Sequence, residues 1–340
     1  MKKLFGPCAT AFLVLLSGCS TSKLPAIRAE VVTQKSVHDT DDPAIWVNPS
    51  NPEESLVFGT DKETEGAVFA YTLDGAILED KSIRGIRRPN NVDIEYGLRL
   101  PDGTQTDILV FTERERQQIR VFSVPEMKPL DGGGFPVFED EATPEFRLPM
   151  GVAVYKSTEN GAISVIVGRK SGPRQGYLYQ YALRTTDGVL RTELLRKFGT
   201  FSGQKEIEAI AVDDQMGFVY YSDEGVCIRK YHAEPEKGDI EVSCFGREYF
   251  QDDIEGIAIA AYPEGTGYLL VSNQQAGEFN IFDRKTNGFV KAVNLGTRET
   301  DGCAVTTAFV GRRFPNGLFV AMNDNRTFHF YDLARILETN

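Results

Sequence analysis

The strongest constraint on the fold is a unit of about fifty residues that recurs six times along the chain. Each copy contains three short runs rich in Val, Ile, Phe and Tyr, separated by Gly, Asp, Asn and Pro, which is typical of strands and turns. The copies begin, in chain order, at Asp42, Asp93, Gly151, Glu208, Glu255 and Asp301. A period of this length with three to four strands per unit indicates an all-β, six-bladed β-propeller.

The segment before each following copy supplies a fourth strand, and the chain start supplies the last one. The strand-like sequence AEVVTQ at residues 29–34 precedes the first copy and is predicted to complete the last blade and close the ring. We therefore predict one propeller domain over residues 29–340. Two unrelated β-sandwiches are the alternative, but sandwiches do not repeat an acid at one strand position.

The first residues have the features of an export signal. Lys2 and Lys3 precede a short apolar run at residues 9–16, which is too short to span a bilayer as a mature helix. The ending Leu-Ser-Gly-Cys is similar to that of a bacterial lipoprotein signal, in which Cys19 would be lipidated. An ordinary signal peptide with an incidental cysteine is the alternative.

This interpretation predicts a signal peptide at residues 1–19 and a tether at residues 20–28. The protein is then expected to be exported and lipid-anchored, at the outer membrane or facing the periplasm, with the membrane and an outer-membrane transport protein as candidate partners. Loss of the two lysines would take the formal net charge from −12 to −14, which argues against nucleic acid as a partner. Of the three cysteines outside the signal, the sequence leaves open whether Cys227 and Cys244 are joined.

An acid precedes the first strand in five of the six copies. These acids are Asp42, Asp93, Glu208, Glu255 and Asp301, and only the third copy differs, with Gly151. Because the first strand of each blade lines the channel of a propeller, we expect them to form a ring. So many carboxylates around one axis must be partly protonated or must bind cations. Oxygen ligands without nearby His or Cys suit Ca²⁺ better than Zn²⁺. The alternative is that the acids cap strand ends and accept hydrogen bonds from backbone amides.

The residues after the second strands change sign halfway around the ring. Blades one to three carry the cations Lys62, Arg114 and Arg169 or Lys170. The opposite half presents Glu208, Glu224, Asp253, Glu255, Gln274 and Asp301. Basic side chains facing a calcium cluster would bind an oxyanion with several negative groups, and phosphate fits best.

At these residues the chain resembles the β-propeller phytases, the calcium-dependent alkaline phytases of bacteria. The motifs that carry the resemblance are DDPAIW (41–46), NNVD (90–93), the Glu-x-x-x-x-Asp-Asp stretch at 208–214, DIEG (253–256), ETDG (299–302) and GLFVA (317–321). The resemblance covers nearly the whole predicted domain. It implies a propeller that binds several calcium ions and cleaves phosphomonoesters of myo-inositol hexakisphosphate.

The resemblance also implies roles for single residues. Asp42, with the backbone carbonyls of Pro43 and Val92, resembles a structural calcium site. The residues that resemble ligands of the catalytic calcium ions are Glu208, Glu224, Asp253, Glu255, Gln274 and Asp301, with Asp324 beside Asn323 where the family commonly has Asp. Lys62 and Arg114 resemble the phosphate-binding residues.

The sequence departs from the family pattern at two further places. Met150 replaces a tyrosine that commonly holds substrate, and Arg169-Lys170-Ser171 replaces a Lys-Glu pair. Both places bear on the substrate affinity and on the number of calcium ions.

The predicted reaction is attack on phosphorus by a water whose pKa the metal ions lower, without a covalent intermediate. Glu208, Glu224 and Glu255 would hold the ions, and Lys62, Arg114 and Arg169 or Lys170 would neutralise charge on the phosphoryl oxygens. The alternatives are a lipid-anchored propeller that binds a phosphorylated ligand or a protein without turnover, and a metal-dependent hydrolase of another ester.

Overall fold

Each predicted repeat forms one four-stranded antiparallel sheet, and six such sheets surround a central channel. The structure is a computed structural model that describes residues 22–338. The first strands of the blades contact one another in a closed ring, so each contributes one wall of the channel. The predicted six-bladed β-propeller is therefore confirmed.

The strands follow one another from the channel outwards in each blade. Near the chain start lies β1 (Val31–Val32). Blade one consists of β2 (Thr40–Trp46), β3 (Leu56–Asp61), β4 (Gly66–Thr72) and β5 (Ile83–Ile86), and blade two of β6 (Pro89–Arg99), β7 (Gln105–Glu113), β8 (Gln118–Val124) and β9 (Phe135–Pro136). Blade three consists of β10 (Pro149–Lys156), β11 (Ile163–Arg169), β12 (Gln175–Thr186) and β13 (Val189–Thr200). Blade four consists of β14 (Ile210–Asp213), β15 (Phe218–Asp223), β16 (Cys227–His232) and β17 (Ser243–Phe245).

The last two blades complete the ring. Blade five consists of β18 (Ile254–Ala261), β19 (Gly267–Asn273), β20 (Glu278–Asp283) and β21 (Phe289–Val293), and blade six begins with β22 (Cys303–Thr306), β23 (Leu318–Asn323) and β24 (Thr327–Asp332). The short helix α1 (Leu333–Glu338) follows. Within residues 22–338, no helix is long and apolar enough to cross a lipid bilayer. Short 3-10 helices lie in the loops at Pro52–Glu54, Glu79–Lys81, Arg114–Arg116, Pro144–Arg147, Pro235–Lys237, Arg247–Tyr249, Pro263–Gly265 and Gln274–Ala276.

The ring closes as predicted, because β1 pairs with β24 as the outer strand of blade six. Val31 lies opposite Phe330 in this pair and is buried in the apolar layer between blades one and six, whereas Val32 points to solvent. The N-terminal and C-terminal parts of the chain are thereby held in one sheet. This removes the free strand edge that an open ring would leave.

The structure adds detail to the predicted tether and to the pairing of Cys227 and Cys244, which the sequence left open. The predicted tether is in part bound to the propeller: Ala26 bridges to Asn294, and Ile27 is buried beside blade five. Cys227 and Cys244 are joined by a disulfide that links two strands of blade four. The predicted signal peptide and Cys19 lie outside the described residues.

A β-bulge recurs where the first strands meet the channel mouth. In blade one, Thr40 pairs with Asp61 and Pro43 with Gly59, so β2 has one more residue than β3 over this stretch. Blades two, three and five show the same shift. The bulges bring neighbouring first strands very close: a Cβ on Gly151 would lie 2.1 Å from the Glu208 carbonyl oxygen, and one on Gly302 would lie 2.4 Å from Asp42 Oδ1. The bulges therefore set which side chains face the mouth.

Because β1 closes the ring, substitutions at its two residues should differ strongly in their effect on the free energy of unfolding. Val31→Asp places a charge in the apolar layer between two blades and should lower the free energy of unfolding by about 3 kcal/mol or more. Val32→Asp, on the exposed face of the same strand, is the matched control and should cost less than about 1 kcal/mol. Urea unfolding of both variants measures the difference. Equal losses would show that β1 does not hold the ring closed.

Candidate functional site at the channel mouth

An inner ring of six side chains, one from each blade, lies at the channel mouth. Asp41, Asn90, Met150 and Glu255 lie within the bulges of blades one, two, three and five. Glu208 and Asp301 lie two residues before β14 and β22, the first strands of blades four and six. Three assignments made from the sequence were wrong, namely Asp42, Asp93 and Gly151. The extra residue of the bulge moves the ring position one residue earlier in blades one and three, and Asp93 lies three residues deeper in the channel than Asn90.

Lys62 lies at the centre of the acidic part of this ring. Its Nζ atom is 2.5 Å from Asp41 Oδ1, 3.3 Å from Asp301 Oδ2 and 4.0 Å from Glu208 Oε1. Asn90 Nδ2 donates to Asp41 Oδ2 at 3.1 Å and to Glu208 Oε1 at 3.0 Å. Burial alone would lower the pKa of Lys62, but the three carboxylates outweigh it and raise this pKa, so the ammonium group stays charged.

Three carboxylates from blades four and five converge beside this lysine. One oxygen from each of Glu208, Glu224 and Glu255 lies within 4.8 Å of the others. Burial, followed by mutual repulsion with neighbouring acids, raises the pKa of Glu208 to about 7 and that of Glu224 to about 8, and raises the pKa of Glu255 well above its usual value. Glu255 Oε2 is buried and has no hydrogen-bond partner among residues 22–338. These atoms match the oxygen donor set of a hard cation.

The remaining predicted ligands lie around this triad at different depths. Asp301 accepts a hydrogen bond from Gln274 Nε2 at 2.6 Å, and burial and the charge of Asp41 raise the pKa of Asp301 to about 8. Asp253 is already engaged by an ion pair with Lys205 and by Gln275. Asp324 is exposed at the rim, where it lines a pocket together with Gln274.

The residues that follow the second strands form an outer ring. The predicted change from basic side chains on blades one to three to acidic or amide side chains on blades four to six is present in this ring. Its members are Lys62, Arg114, Lys170, Glu224, Gln274 and Asp324. In five of the blades the backbone amide of this residue donates to the loop that enters the first strand, as Lys62 does to Asp39 and Glu224 to Glu206. The second strand therefore fixes the outer-ring residue next to the inner ring of its own blade.

The residue just before each outer-ring position has a structural role. In blades one, two, four, five and six it accepts a hydrogen bond from an amide of the loop that enters the first strand; these acceptors are Asp61, Glu113, Asp223, Asn273 and Asn323. In blade three the position belongs to Arg169, whose Nη1 instead donates to the Phe146 carbonyl at 3.3 Å. Blade three thus makes this contact with a side-chain donor and a backbone acceptor, whereas the other blades use a side-chain acceptor and a backbone donor.

This placement decides between Arg169 and Lys170. Arg169 is fully buried, forms an ion pair with Glu141 at 2.7 Å and stacks on the rings of Phe138 and Tyr179. Its other donors bond to the carbonyls of Gly176 and Tyr177. The prediction that Arg169 binds phosphate is wrong for this reason. Lys170 is partly exposed at the mouth, where it pairs with Glu206.

Asp42 lies deeper in the channel. Its Oδ2 atom accepts a hydrogen bond from the Val92 amide at 3.0 Å, and Pro43 and Asn91 lie along the same channel wall. Burial raises the pKa of Asp42 well above its usual value, and the neighbouring Asn91 Oδ1 is buried without a hydrogen-bond partner. The residues predicted for a structural calcium site therefore lie together, and the ion itself stays a prediction.

Comparison with known proteins agrees with this geometry. A family model described as Phytase matches residues 14–329 of the chain. The chain belongs to the phytase family. Within this family, a 3-phytase of Bacillus subtilis (strain 168) is 29% identical over 300 residues, which cover 83% of this chain and 74% of that protein. A solved structure of the Dos1 propeller matches with a TM-score of 0.45 and 12% identity. The match covers 86% of this chain and 66% of the Dos1 chain, so this chain spans slightly less than two thirds of the Dos1 propeller structure.

Sequence reasoning missed Asp41, Asn90 and Glu206 in this phytase-family site. In blades three, five and six the ring position is the residue before the glycine that allows close approach of the first strands, as in Met150-Gly151, Glu255-Gly256 and Asp301-Gly302. Asp41 and Asn90 are followed by Asp42 and Asn91, so blades one and two lack this signal. Glu206 has no comparable signal, because it lies in a loop whose position depends on pairing with Lys170.

Arg169 and Lys170 are adjacent cations, one buried and one partly exposed, and this difference gives a prediction. Arg169→Ala leaves Glu141 without its partner and opens a gap among aromatic rings, so the free energy of unfolding should fall by about 3 kcal/mol or more. Lys170→Ala removes a partly exposed ion pair and should change it by less than about 1 kcal/mol. Denaturant titration of the two variants measures both values. Full stability of Arg169→Ala would contradict the structural role.

Proposed function

We propose that the protein is a calcium-dependent phosphomonoesterase that hydrolyses myo-inositol hexakisphosphate. The observation that carries the proposal is the buried triad of Glu208, Glu224 and Glu255 beside Lys62 at the mouth of one channel. Membership of the phytase family and the similarity to a 3-phytase support the substrate class. Oxygen ligands alone, with no His or Cys in the triad, support calcium as the metal.

The triad would hold the metal ions, and Asn90 would orient it. Glu255 Oε2 and the raised pKa values of all three acids fit a site that binds a divalent cation, because a cation satisfies the free oxygen and removes the repulsion. Bound calcium would supply positive charge for the phosphate oxygens and lower the pKa of a water that attacks phosphorus. Asn90 donates to Glu208 and to Asp41, so it fixes the distance between the triad and the pair formed by Lys62 and Asp41.

The cations on blades one to three would bind the phosphate. Lys62 projects from blade one into the inner ring, and Arg114 follows the second strand of blade two with its charge facing Glu208. Arg114 Nε is buried, has no hydrogen-bond partner in the described part of the chain and can donate to an anion. Donors fixed by the protein before substrate binds stabilise developing charge on phosphoryl oxygens without further reorganisation. Lys170 lies on blade three, in the same half of the channel mouth as Lys62 and Arg114.

We further propose that the protein is exported and anchored through a lipid on Cys19, as the Leu-Ser-Gly-Cys sequence suggests. Ser22 donates to Glu278 at the start of β20, on the side of the propeller that carries the mouth. An anchor three residues before Ser22 would hold the propeller close to the membrane.

Phosphate release from myo-inositol hexakisphosphate tests the proposed reaction. Release should require calcium and stop with EDTA, and Lys62→Ala and Glu208→Gln should each lower kcat/KM by about a hundredfold or more. Lys62→Ala removes a positive charge that would face the phosphate, and Glu208→Gln removes a carboxylate that would hold calcium. Glu79→Gln, in an exposed ion pair with Arg84, is the matched control and should retain activity.

Two outcomes would contradict the proposal. Release that persists in EDTA, or that is unchanged in Glu208→Gln, would exclude the triad as the catalytic metal site. Calcium-dependent binding of the same compound without phosphate release would favour a ligand-binding propeller instead.

A further inference from the structure

Asp253 is a predicted calcium ligand that an ammonium group of the protein already occupies. Lys205 Nζ contacts Asp253 Oδ1 and lies 3.0 Å from Asp252 Oδ1. The other carboxylate oxygen, Asp253 Oδ2, accepts a hydrogen bond from Gln275 Nε2 at 2.6 Å. Both oxygens of Asp253 therefore have donors from the protein, whereas the triad oxygen Glu255 Oε2 has none among residues 22–338. A metal ion that binds Asp253 has to replace one of these donors.

Asp253 belongs to the same group of acids as the triad. It stands two residues before Glu255 at the start of blade five. Burial and then the other triad acids raise the pKa values of Glu224 and Glu255, and the negative charge of Asp253 adds to both shifts. The ammonium group of Lys205 thus neutralises one carboxylate at the edge of a cluster that repels itself.

The side chain of Lys205 crosses the turn that carries Glu224. Lys205 lies in the loop that enters blade four, whereas its two partners precede the first strand of blade five. A Cβ on Gly225 would lie 3.9 Å from Lys205 Cδ, so the aliphatic part of the lysine lies over this turn. The ammonium group therefore reaches blade five beside a member of the triad.

The backbone on both sides of Lys205 is fixed, whereas its side chain can move. The Ser202 amide donates to Asp223 Oδ2 at 3.0 Å, and the Glu206 carbonyl accepts from the Glu224 amide at 3.2 Å. The side chain of Lys205 is 37% exposed. Rotation about its own bonds is therefore enough to move the ammonium group away from its carboxylate partner, without a change in the backbone.

An ammonium group and a calcium ion would compete for the same oxygen of Asp253. Two cations in contact with one carboxylate oxygen repel each other, and the repulsion is stronger in a partly buried site than in water. Calcium has twice the charge of the ammonium group and accepts six to eight oxygen ligands, which the neighbouring triad can supply in part. Lys205 would keep Asp252 as a partner, but that carboxylate is 52% exposed and holds the ammonium group weakly.

We propose that Lys205 is an internal competitor of calcium: it holds Asp253 when no metal is bound and gives up this carboxylate when calcium binds. The inference rests on the proposed function and adds to it a residue that sets the calcium affinity of the mouth. In the absence of metal, Lys205 neutralises Asp253 and limits the repulsion among the acids. In the presence of calcium, its ammonium group moves towards Asp252 and solvent.

Chemical labelling of lysines tests this exchange in the unaltered protein. Acetic anhydride modifies amines that reach solvent, so an ammonium group held between two carboxylates reacts slowly. Acetylation of Lys205, measured by mass spectrometry of its peptide, should rise by about threefold or more when calcium replaces EDTA, because Asp252 alone is a weak partner. Lys197, paired with Asp140 in the outer strand of blade three, is the matched control and should react equally in both conditions. Unchanged or slower acetylation of Lys205 in calcium would overturn the exchange.

Calorimetry of variants measures the competition. Lys205→Met should bind calcium about fivefold more tightly than the wild type, because the ligand Asp253 is then free in every molecule. Lys197→Met should bind calcium like the wild type, and so should Lys205→Arg, which keeps the ion pair. In an Asp253→Asn background, Lys205→Met should change the affinity by less than about twofold. Weaker binding by Lys205→Met, or the same fivefold gain in the Asp253→Asn background, would contradict competition for this carboxylate.

These measurements need no turnover, so they separate this inference from the proposed function. If calcium releases Lys205 but no phosphate leaves myo-inositol hexakisphosphate, the proposed function fails and the inference stands. If phosphate release requires calcium but acetylation of Lys205 does not change, the inference alone fails. A wild type that binds no calcium overturns both.

Discussion

Repulsion among buried carboxylates at one end of the channel is the constraint on which the rest of the site depends. Glu208, Glu224 and Glu255 come from two neighbouring blades, and the propeller brings their oxygens within 4.8 Å of one another. Lys62 is the cation that contacts this group from the side of blade one, 4.0 Å from Glu208 Oε1. Such a cluster is costly in a folded protein unless protons or metal ions neutralise it. Burial of the apolar layers between the six sheets offsets the free-energy cost of this repulsion and holds the strands in place.

The two halves of the mouth then have complementary tasks. In the proposed function, acids of blades four and five would provide ligands for a hard cation, and cations of blades one to three would provide donors for an anion. Asn90 connects the halves through hydrogen bonds to Asp41 and Glu208. An anion that carries several negative charges can bind to an acidic protein in this way, because bound metal determines the sign of the local potential.

The architecture and the charge asymmetry could be predicted from the sequence, since a repeat places equivalent residues at equivalent points of a ring. The closing strand near Val31 was predicted for the same reason, because the last copy lacks a fourth strand of its own. The ring register could not be found by matching acids, because the bulge adds one residue to the first strand and moves Asp41 rather than Asp42 into the ring.

Loops outside the repeats explain the other differences. Arg169 has the charge expected of a phosphate ligand, but Glu141, Phe138 and Phe146 from the preceding long connection bury it. Spacing along the chain contains no information on such contacts, so only the three-dimensional structure shows them.

We expect the triad to destabilise the fold by itself and to stabilise it with bound metal. The raised pKa of Glu255 means that its ionisation favours the unfolded chain, so this cost is absent at low pH and is present at pH 8. The most direct measurement is the melting temperature of the wild type and of Glu255→Gln at pH 8, with EDTA and with millimolar calcium. Without calcium the variant should melt at the same temperature as the wild type or higher, and with calcium the wild type should melt higher, because bound ligand stabilises the folded state. A variant that melts lower than the wild type in EDTA, or a wild type that calcium does not stabilise, would contradict the account.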